Sequence, residues 1–465
     1  MTMESITSNL LRKDSQYLNI ISPTYLPYND AAKRICSKIL GQYDLKSEGK
    51  IGERYRLVVA SLLMAARQIL RARVQDGNPV LLGCPGNNNY WSNYPLVGAP
   101  IIKNVIGKLE GKLLHKKEGS GQRNFYETDA GNLSFDGITT MYEVDTVLSE
   151  DPDFNAAEYI EVGRELVKVN KYEGVGERNV RKKYNRPKPR YSEKAARKSF
   201  RKPFVERVRE VEALNTFWRQ HPLQLPEGSW AASATRTFHD GRLNAGGRFY
   251  GLWTGRDNVL RLQSKIDGEA VCSIDLNASQ PVLFSSLMGV KLKNRGSWYD
   301  LYGEIAVPFA NNTEEIPLVR GVLKRVGVEL IGTGNPLKAK PSKELIEDTG
   351  ITQELWDTYR SALVDHIPAL ELMDSDYLNG PGFISYHESQ MMLLSLQALM
   401  AIGVPAYPVH DCLIVKASDK DKAMQVFRDT VRSYILNHSS GKIDVTVAVS
   451  VEGSDPKRRI KGYYQ

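Results

Sequence analysis

Three short stretches hold residues whose types and spacing suit phosphoryl chemistry. Val271 to Leu287, VCSIDLNASQPVLFSSL, runs as an apolar strand into Asp275 and then through a polar turn into a helix. A carboxylate at a strand end beside a turn is fixed by the strand and left accessible by the turn, as a divalent-metal ligand must be. Ala401 to Ala417, AIGVPAYPVHDCLIVKA, sets His410 and Asp411 inside an apolar run and reads as two strands meeting at a tight turn with Asp411 at its tip. A carboxylate in so apolar a setting is costly unless a partner or a metal compensates it. Between the two, LVRGVLKRVGVELIGTGN places Arg320 and Lys324 four residues apart, on one face of a helix, where they can grip a polyphosphate together. Gly332-Thr333-Gly334 is not a P-loop, because the following Lys-Ser/Thr is absent.

Taken singly, each stretch has a plainer explanation. An Asp after a strand is common at turns and helix caps, and an isolated Arg-x3-Lys pair is ordinarily the basic face of a surface helix. The combination is more specific. Two-metal phosphoryl transfer needs two carboxylates from separate strands, and cations on the triphosphate to offset charge in the transition state. Asp275, then Arg320 and Lys324, then Asp411 supply that set in one order.

In that order the motifs resemble those of family A DNA polymerases and the related single-subunit RNA polymerases of phages and mitochondria: ID at 274–275, RGVLK at 320–324 and VHD at 409–411. The resemblance covers about Gly246 to Val415. It implies an α+β right hand, with a palm on an antiparallel sheet carrying Asp275 and Asp411, helical fingers carrying Arg320 and Lys324, and a mainly helical N-terminal region. It further implies that Asp275 and Asp411 bind two Mg²⁺ ions, for which Mn²⁺ can substitute, and that Arg320 and Lys324 contact the incoming triphosphate. By the same resemblance Lys324 protonates pyrophosphate and His410 sits near the primer terminus. Arg242 and Arg248, in TRTFHDGRLNAGGRFYGLW, become candidates for template or primer contacts.

The partners so implied are a DNA template-primer and nucleoside triphosphates, with RNA as an alternative. There are departures. The family has an aromatic residue four positions after the motif Lys and a Tyr eight after it; here those positions hold Val328 and Gly332. Five residues after the first Asp, where the DNA polymerases have Glu and the RNA polymerases Gly, stands Gln280, and a side chain larger than Gly points towards deoxynucleotides. Ser385 to Met400, a helix with His387, Glu388 and Gln390, either lines the same cleft or is a core helix with a polar edge. Three functions compete: a DNA polymerase core, a primase or single-subunit-type RNA polymerase, and a non-catalytic replication initiator with a degenerate polymerase domain.

Positioning these residues falls to the rest of the chain. Tyr55 to Val74 has apolar residues at helical spacing and predicts an amphipathic helix in the core of a first domain. After the loop CPGNNNYWSNYP, Gly98 to Glu110 predicts a second helix, and two strand-like runs flank Glu118-Gly119-Ser120-Gly121. Helix, strand, turn and strand is the order of a winged helix near 98–130, with Lys103 and Lys108 on the helix and His115, Lys116, Lys117 and Arg123 on the wing. Any small helix and hairpin gives the same pattern.

Val167 to Glu210 is strongly basic and interleaves Arg181, Lys182, Lys183, Arg186, Lys188 and Arg190 with Tyr172, Tyr184, Tyr191, Phe200 and Phe204. That mixture suits phosphate neutralisation with base stacking, while Pro187 and Pro189 favour a linker. The expected organisation is an N-terminal domain over 1–160, a basic linker or thumb-like segment over 161–225, and palm with fingers over 226–465.

The bulk properties agree with a soluble, reduced, cytoplasmic chain. Its 465 residues carry a formal charge of +8 and a pI near 9.0, which permits a polyanionic partner. Four cysteines without CxxC spacing give neither a zinc ribbon nor a disulfide framework. No apolar run reaches the ~20 residues of a membrane span.

Overall fold

The computed structural model describes residues 18–20, 24–76, 81–85, 97–117, 125–127, 133–135, 139–161, 165–174, 176–178, 188–226, 229–256, 258–292, 300–373, 380–439, 445, 447–453 and 462–464. The chain forms two compact units, one of residues 1–165 with 227–233, the other of 166–226 with 234–465.

The first unit begins with β1 (Leu18–Ile20), β2 (Tyr25–Pro27), α1 (Asp30–Gln42), α2 (Gly49–Asp76), β3 (Leu81–Pro85) and α3 (Ala99–Leu109). It continues with β4 (Leu114–Lys116), β5 (Phe125–Glu127), β6 (Leu133–Phe135), β7 (Thr139–Val144), α4 (Pro152–Ala156) and β8 (Tyr159–Glu161). The Asn29 side chain accepts from the Ala32 amide and caps α1, whose Ile35, Cys36, Ile39 and Leu40 recur at helical spacing on the buried face. That face packs with Leu57, Val58, Leu62, Leu63 and Ile69 of α2 and with Ile102, Val105 and Ile106 of α3 in one apolar core.

This unit also holds a four-stranded sheet in the order β1-β3-β7-β4. The expected winged-helix hairpin is not formed among the described residues. β4 pairs with β7, and β5 pairs with β6. Short strands carry little pairing information of their own, and β4 found its partner farther along the chain. The expected wing residue Arg123 lies outside the described residues.

The second unit opens with β9 (Val167–Val169), α5 (Glu193–Gln220) and β10 (Leu223–Gln224). The chain then contributes β11 (Trp230–Ala231), paired parallel to β8, to the first unit. It returns as β12 (Ala234–Phe238), β13 (Gly246–Gly251), α6 (Asn258–Leu262), β14 (Lys265–Ile266), β15 (Glu269–Leu276) and α7 (Ser279–Leu287). Helices α8 (Leu301–Ala306), α9 (Ile316–Thr333), α10 (Lys343–Thr349), α11 (Gln353–His366) and α12 (Pro381–Ala401) follow. The hairpin β16 (Ala406–Val409) and β17 (Cys412–Lys416), then α13 (Lys420–His438), β18 (Val449–Gly453) and β19 (Gly462–Tyr464), complete it.

The central strand of this unit is β15. It pairs antiparallel with β17 on one edge and with β18 on the other, while β16 continues the sheet beyond β17 and β19 beyond β18. Its alternate neighbours leave no polar edge, which is why Val271, Cys272 and Ile274 are all buried. β14 enters β15 through Asp267-Gly268, both at positive φ (52° and 81°), the backbone that a primed two-residue turn requires. A separate three-stranded sheet runs β13-β12-β9.

Helix α12 is buried nearly all round, with Ile384, Met391, Met392, Leu393, Leu396 and Leu399 inside, as a helix at the heart of a unit must be. It lies against β13, where Gly247 (φ 85°) permits a close approach: an added Cβ would stand 2.8 Å from the Ser389 hydroxyl and from the Phe238 ring. Mixed helices and antiparallel sheets make the protein α+β.

Helix α5 is the longest in this unit and is broken at Arg201 (φ 49°, ψ −126°), two residues before Pro203, whose ring cannot fit an unbroken helix. Segment 166–226 holds 17 Lys and Arg against 6 Asp and Glu, so it carries more than the whole positive charge of the chain.

Candidate active site

Asp275 stands one residue from the end of β15, directly opposite Cys412 on β17 and Ser450 on β18. Asp411 belongs to the two-residue turn between β16 and β17, and its carbonyl accepts from the Leu276 amide at 3.2 Å. The strand pairing thus brings the two sequence-predicted carboxylates to neighbouring positions at one end of the sheet. Both charges are felt by the Cys412 thiol: burial first, then Asp275, then Asp411, push it well above its usual value. Burial does the same to Cys272, pushed up to about 11, so both cysteines keep packing roles.

The turns around the carboxylates are strained. His410 (φ 57°) and Ala278 (φ 47°) are left-handed without being glycine, one beside Asp411 and the other three residues after Asp275. Such backbones cost of order 1–3 kcal/mol each, persist where the surroundings over-determine them, and gather at functional sites. The Ser279 hydroxyl, just after Ala278, donates to Asp411 Oδ2 at 2.5 Å and ties α7 to the hairpin.

Behind the hairpin three aromatic rings fix its outer strand. Trp218 of α5 donates its indole N–H to the Ala406 carbonyl, and Trp253 donates to the Pro408 carbonyl, each at 2.8 Å. Tyr407 stacks on Trp218 and meets Trp253 edge-on, and its hydroxyl donates to the His221 carbonyl. The position of Asp411 is thereby set by helix and sheet.

A further carboxylate lies within electrostatic reach of Asp411. Glu388 of α12 is 1% exposed, takes both the Nε (2.7 Å) and one Nη (2.5 Å) of Arg248 on Oε2, and receives Gln280 Nε2 on Oε1 at 3.4 Å. Burial pushes Glu388 up to about 7, with the charge of Asp411 adding and Arg248 opposing. Burial alone would lower Arg248; Glu388 beside it, with Tyr250 and Asp411, offsets that and holds it raised. Arg248 and Gln280, both expected from the sequence, therefore meet on a residue the sequence marked only as one of three polar positions on its helix. His387, beside Glu388, instead shares a hydrogen bond with the Tyr434 hydroxyl, and burial holds it down to about 4.

Arg320 and Lys324 lie one turn apart on α9. Arg320 Nε donates to Asp300 at 2.5 Å, while Lys324 is exposed. Tyr302, buried against Gly327 of the same helix, is raised by burial; the charge of Arg320 lowers it and that of Asp411 raises it, which puts its phenol within electrostatic reach of both. Val328 and Gly332 continue the exposed side of α9 beyond Lys324. Arg242 is exposed, on the turn between β12 and β13. His410 is exposed as well, its ring edge-on to Tyr250. Arg181, Lys182, Lys183 and Arg186 lie outside the described residues.

Within the same segment the first half of α5 presents Lys194, Arg197, Lys198, Arg201 and Lys202 on its exposed side, with Glu193 and Glu206 answering two of them. If this segment neutralises phosphates, each neutralised charge releases condensed counterions and steepens the fall of affinity with salt. Changing Arg181, Lys182, Lys183, Arg186, Lys188 and Arg190 to Gln is then expected to shrink the slope of log affinity against log salt by ~0.7 to 0.9 for each phosphate left without its cation. The measurement is nucleic-acid binding by anisotropy over a salt series. A slope equal to that of the wild type makes the cluster a solvated linker.

Among the described residues no three His, Cys, Asp or Glu side chains converge as metal ligands, and no helix is long and apolar enough to cross a membrane. Comparison with family models and with curated proteins finds no match. Among solved structures the chain is similar to the POL domain of Pol1 from M. smegmatis, in complex with DNA primer-template and dNTP, at 14% identity and a TM-score of 0.32, over 91% of this chain and 68% of that one.

Proposed function

We propose that the second unit is the catalytic core of a template-dependent nucleotidyltransferase that extends a DNA primer, with Asp275 and Asp411 as the metal-binding carboxylates. The observation that carries this reading is the register Asp275↔Cys412, which puts Asp275 of the central strand opposite the residue that follows Asp411. The palm then corresponds to the sheet of β15, β16, β17 and β18, and the fingers to the helices around α9.

The donor set fits Mg²⁺. That ion takes one or two carboxylates and completes its shell with waters and substrate phosphates, so a convergence of three protein ligands is not required. Asp275 and Asp411 would hold it, and Mn²⁺ offers the same hard-oxygen preference. When bound, the metal supplies charge to activate the attacking hydroxyl and to stabilise the leaving pyrophosphate. The protein's own residues orient the pieces: Ser279 holds the Asp411 carboxylate, Asp300 aims Arg320, and Lys324 faces solvent where a triphosphate can reach it.

Sugar choice rests on Gln280, whose amide is drawn to Glu388. Its bulk relative to glycine favours deoxynucleotides. The test is incorporation into a primed template from separate dNTP and NTP pools, where dNTP incorporation is expected to dominate. Incorporation from NTPs alone would make the chain a primase or RNA polymerase of the single-subunit kind. Incorporation from neither pool would favour the initiator reading, which draws on Val328 and Gly332 standing where the family has aromatic residues.

A further inference from the structure

The Arg248–Glu388 pair is built in an unusual way for a structural ion pair. The hydrogen bond from Nε and the closest ion-pair contact, from one Nη, both fall on a single oxygen, Glu388 Oε2. Guanidinium is a planar fork with five N–H donors, so this arrangement commits one edge and leaves the other. Among the described residues Glu388 is the acceptor that Arg248 meets, and the Arg248 side chain keeps 24% exposure while Glu388 keeps 1%. A carboxylate so deeply buried is costly unless a charged partner and hydrogen bonds compensate it. What it holds here is a cation at the Asp411 end of the sheet: Arg248 stands two residues before Tyr250 on β13, and the Tyr250 ring meets that of His410, the neighbour of Asp411, at 6.3 Å.

Charge arithmetic points to the ligand class. Glu388 and Asp411 both act on this one guanidinium, and an anionic strand drawn towards that end must be met by positive charge held in place. We propose that Glu388 is a positioning residue, holding one edge of Arg248 so that the other is presented beside Asp411 to a backbone phosphate of the bound nucleic-acid strand. The identity of the ligand rests on the reading of this unit as a strand-extending enzyme; the geometry of the pair does not. Gln280, donating to the other oxygen of Glu388, keeps the carboxylate from rotating away from Arg248.

The experiment uses the full chain and a fluorescein-labelled DNA primer-template, with affinity measured by anisotropy over a salt series for wild type, Arg248→Gln, Glu388→Gln and the double variant. Arg248→Gln is expected to weaken binding on the order of 10- to 100-fold, as the loss of a charge-assisted bond does, and to reduce the salt slope by ~0.7 to 0.9. Glu388→Gln, which is isosteric and leaves Arg248 in the chain, is expected to move affinity and slope in the same direction. The double variant is expected to match Arg248→Gln alone, because the two residues act as one unit. In primer extension Glu388→Gln should raise KM for primer-template more than it lowers kcat.

Wild-type affinity and slope in Glu388→Gln, or losses that add in the double variant, overturn the proposal. Should Glu388→Gln fail to fold, Arg248→Lys answers: an ammonium keeps the ion pair but has no second edge, so the slope should fall with melting unchanged, and a wild-type slope overturns the proposal. The binding readout needs no synthesis. A wild type that binds but never extends primers removes the proposed function, and leaves the positioning role to be decided by the same cycle.

Discussion

Asp275→Asn and Asp411→Asn are each expected to abolish primer extension while leaving the affinity for primer-template within a few-fold of wild type. Binding rests on basic surface, and chemistry rests on the carboxylates. A lost metal ligand removes several kcal/mol of transition-state stabilisation, on the order of 10³-fold or more in rate. The structure adds a second, opposite effect. Asp411 raises Glu388 electrostatically, so the acids repel one another at this end of the sheet, and neutralising Asp411 should leave the melting temperature unchanged or higher. The checks are single-turnover extension, anisotropy binding and thermal melting on the same preparations. Normal extension by either variant removes the assignment; lost extension together with a clearly lower melting temperature reassigns the carboxylate to a structural role.

Lys324→Ala is expected to slow incorporation by about 10²- to 10⁴-fold, the range for a lost general acid or charge clamp. Its attribution is clean because Lys324 is exposed on α9, where a substitution to Ala changes stability by roughly 0.5 kcal/mol or less. Arg320 is a less clean target, since its loss also breaks the ion pair with Asp300, which caps α8 through the Gly303 amide. Pre-steady-state incorporation of a single nucleotide, with binding of primer-template as control, decides it. An unchanged rate would take α9 out of the site and leave its Arg-x3-Lys spacing as a surface face.

How far the site could be read from the sequence depended on how local its causes are. Asp275 and Asp411 were legible because an acid at the end of an apolar run announces itself, and a two-strand hairpin around His410-Asp411 needs only neighbouring residues. Their place on one sheet was legible only through the family resemblance, since the pairing of β15 with β17 joins residues 271–275 to 412–416 across the helices that lie between. Glu388 was half-legible: an acid in an otherwise apolar helix is conspicuous, but its partner Arg248 sits 140 residues away.

In the first unit, the sequence pointed to a local hairpin after α3, and β4 instead took β7 as its partner. Strands of three residues have too few side chains to specify a neighbour, so the choice fell to the surrounding core. The aromatic support of Asp411 was invisible for the same reason, as Trp218, Trp253 and Tyr407 come from three separate stretches.

The indole bonds to β16 have a consequence for association between chains. A two-residue hairpin alternates its pairing, so Val409 and Tyr407 face β17 while Ala406 and Pro408 turn their backbone outward. Pro408 has no N–H to offer, and the carbonyls of both residues are already taken by Trp253 and Trp218. An outer strand so occupied cannot template the addition of a foreign strand, which is the ordinary route by which a sheet margin seeds aggregates. The strand that delivers Asp411 to the site is thus at the margin of its sheet and closed to recruitment, and that protection lasts only as long as both indoles stay docked.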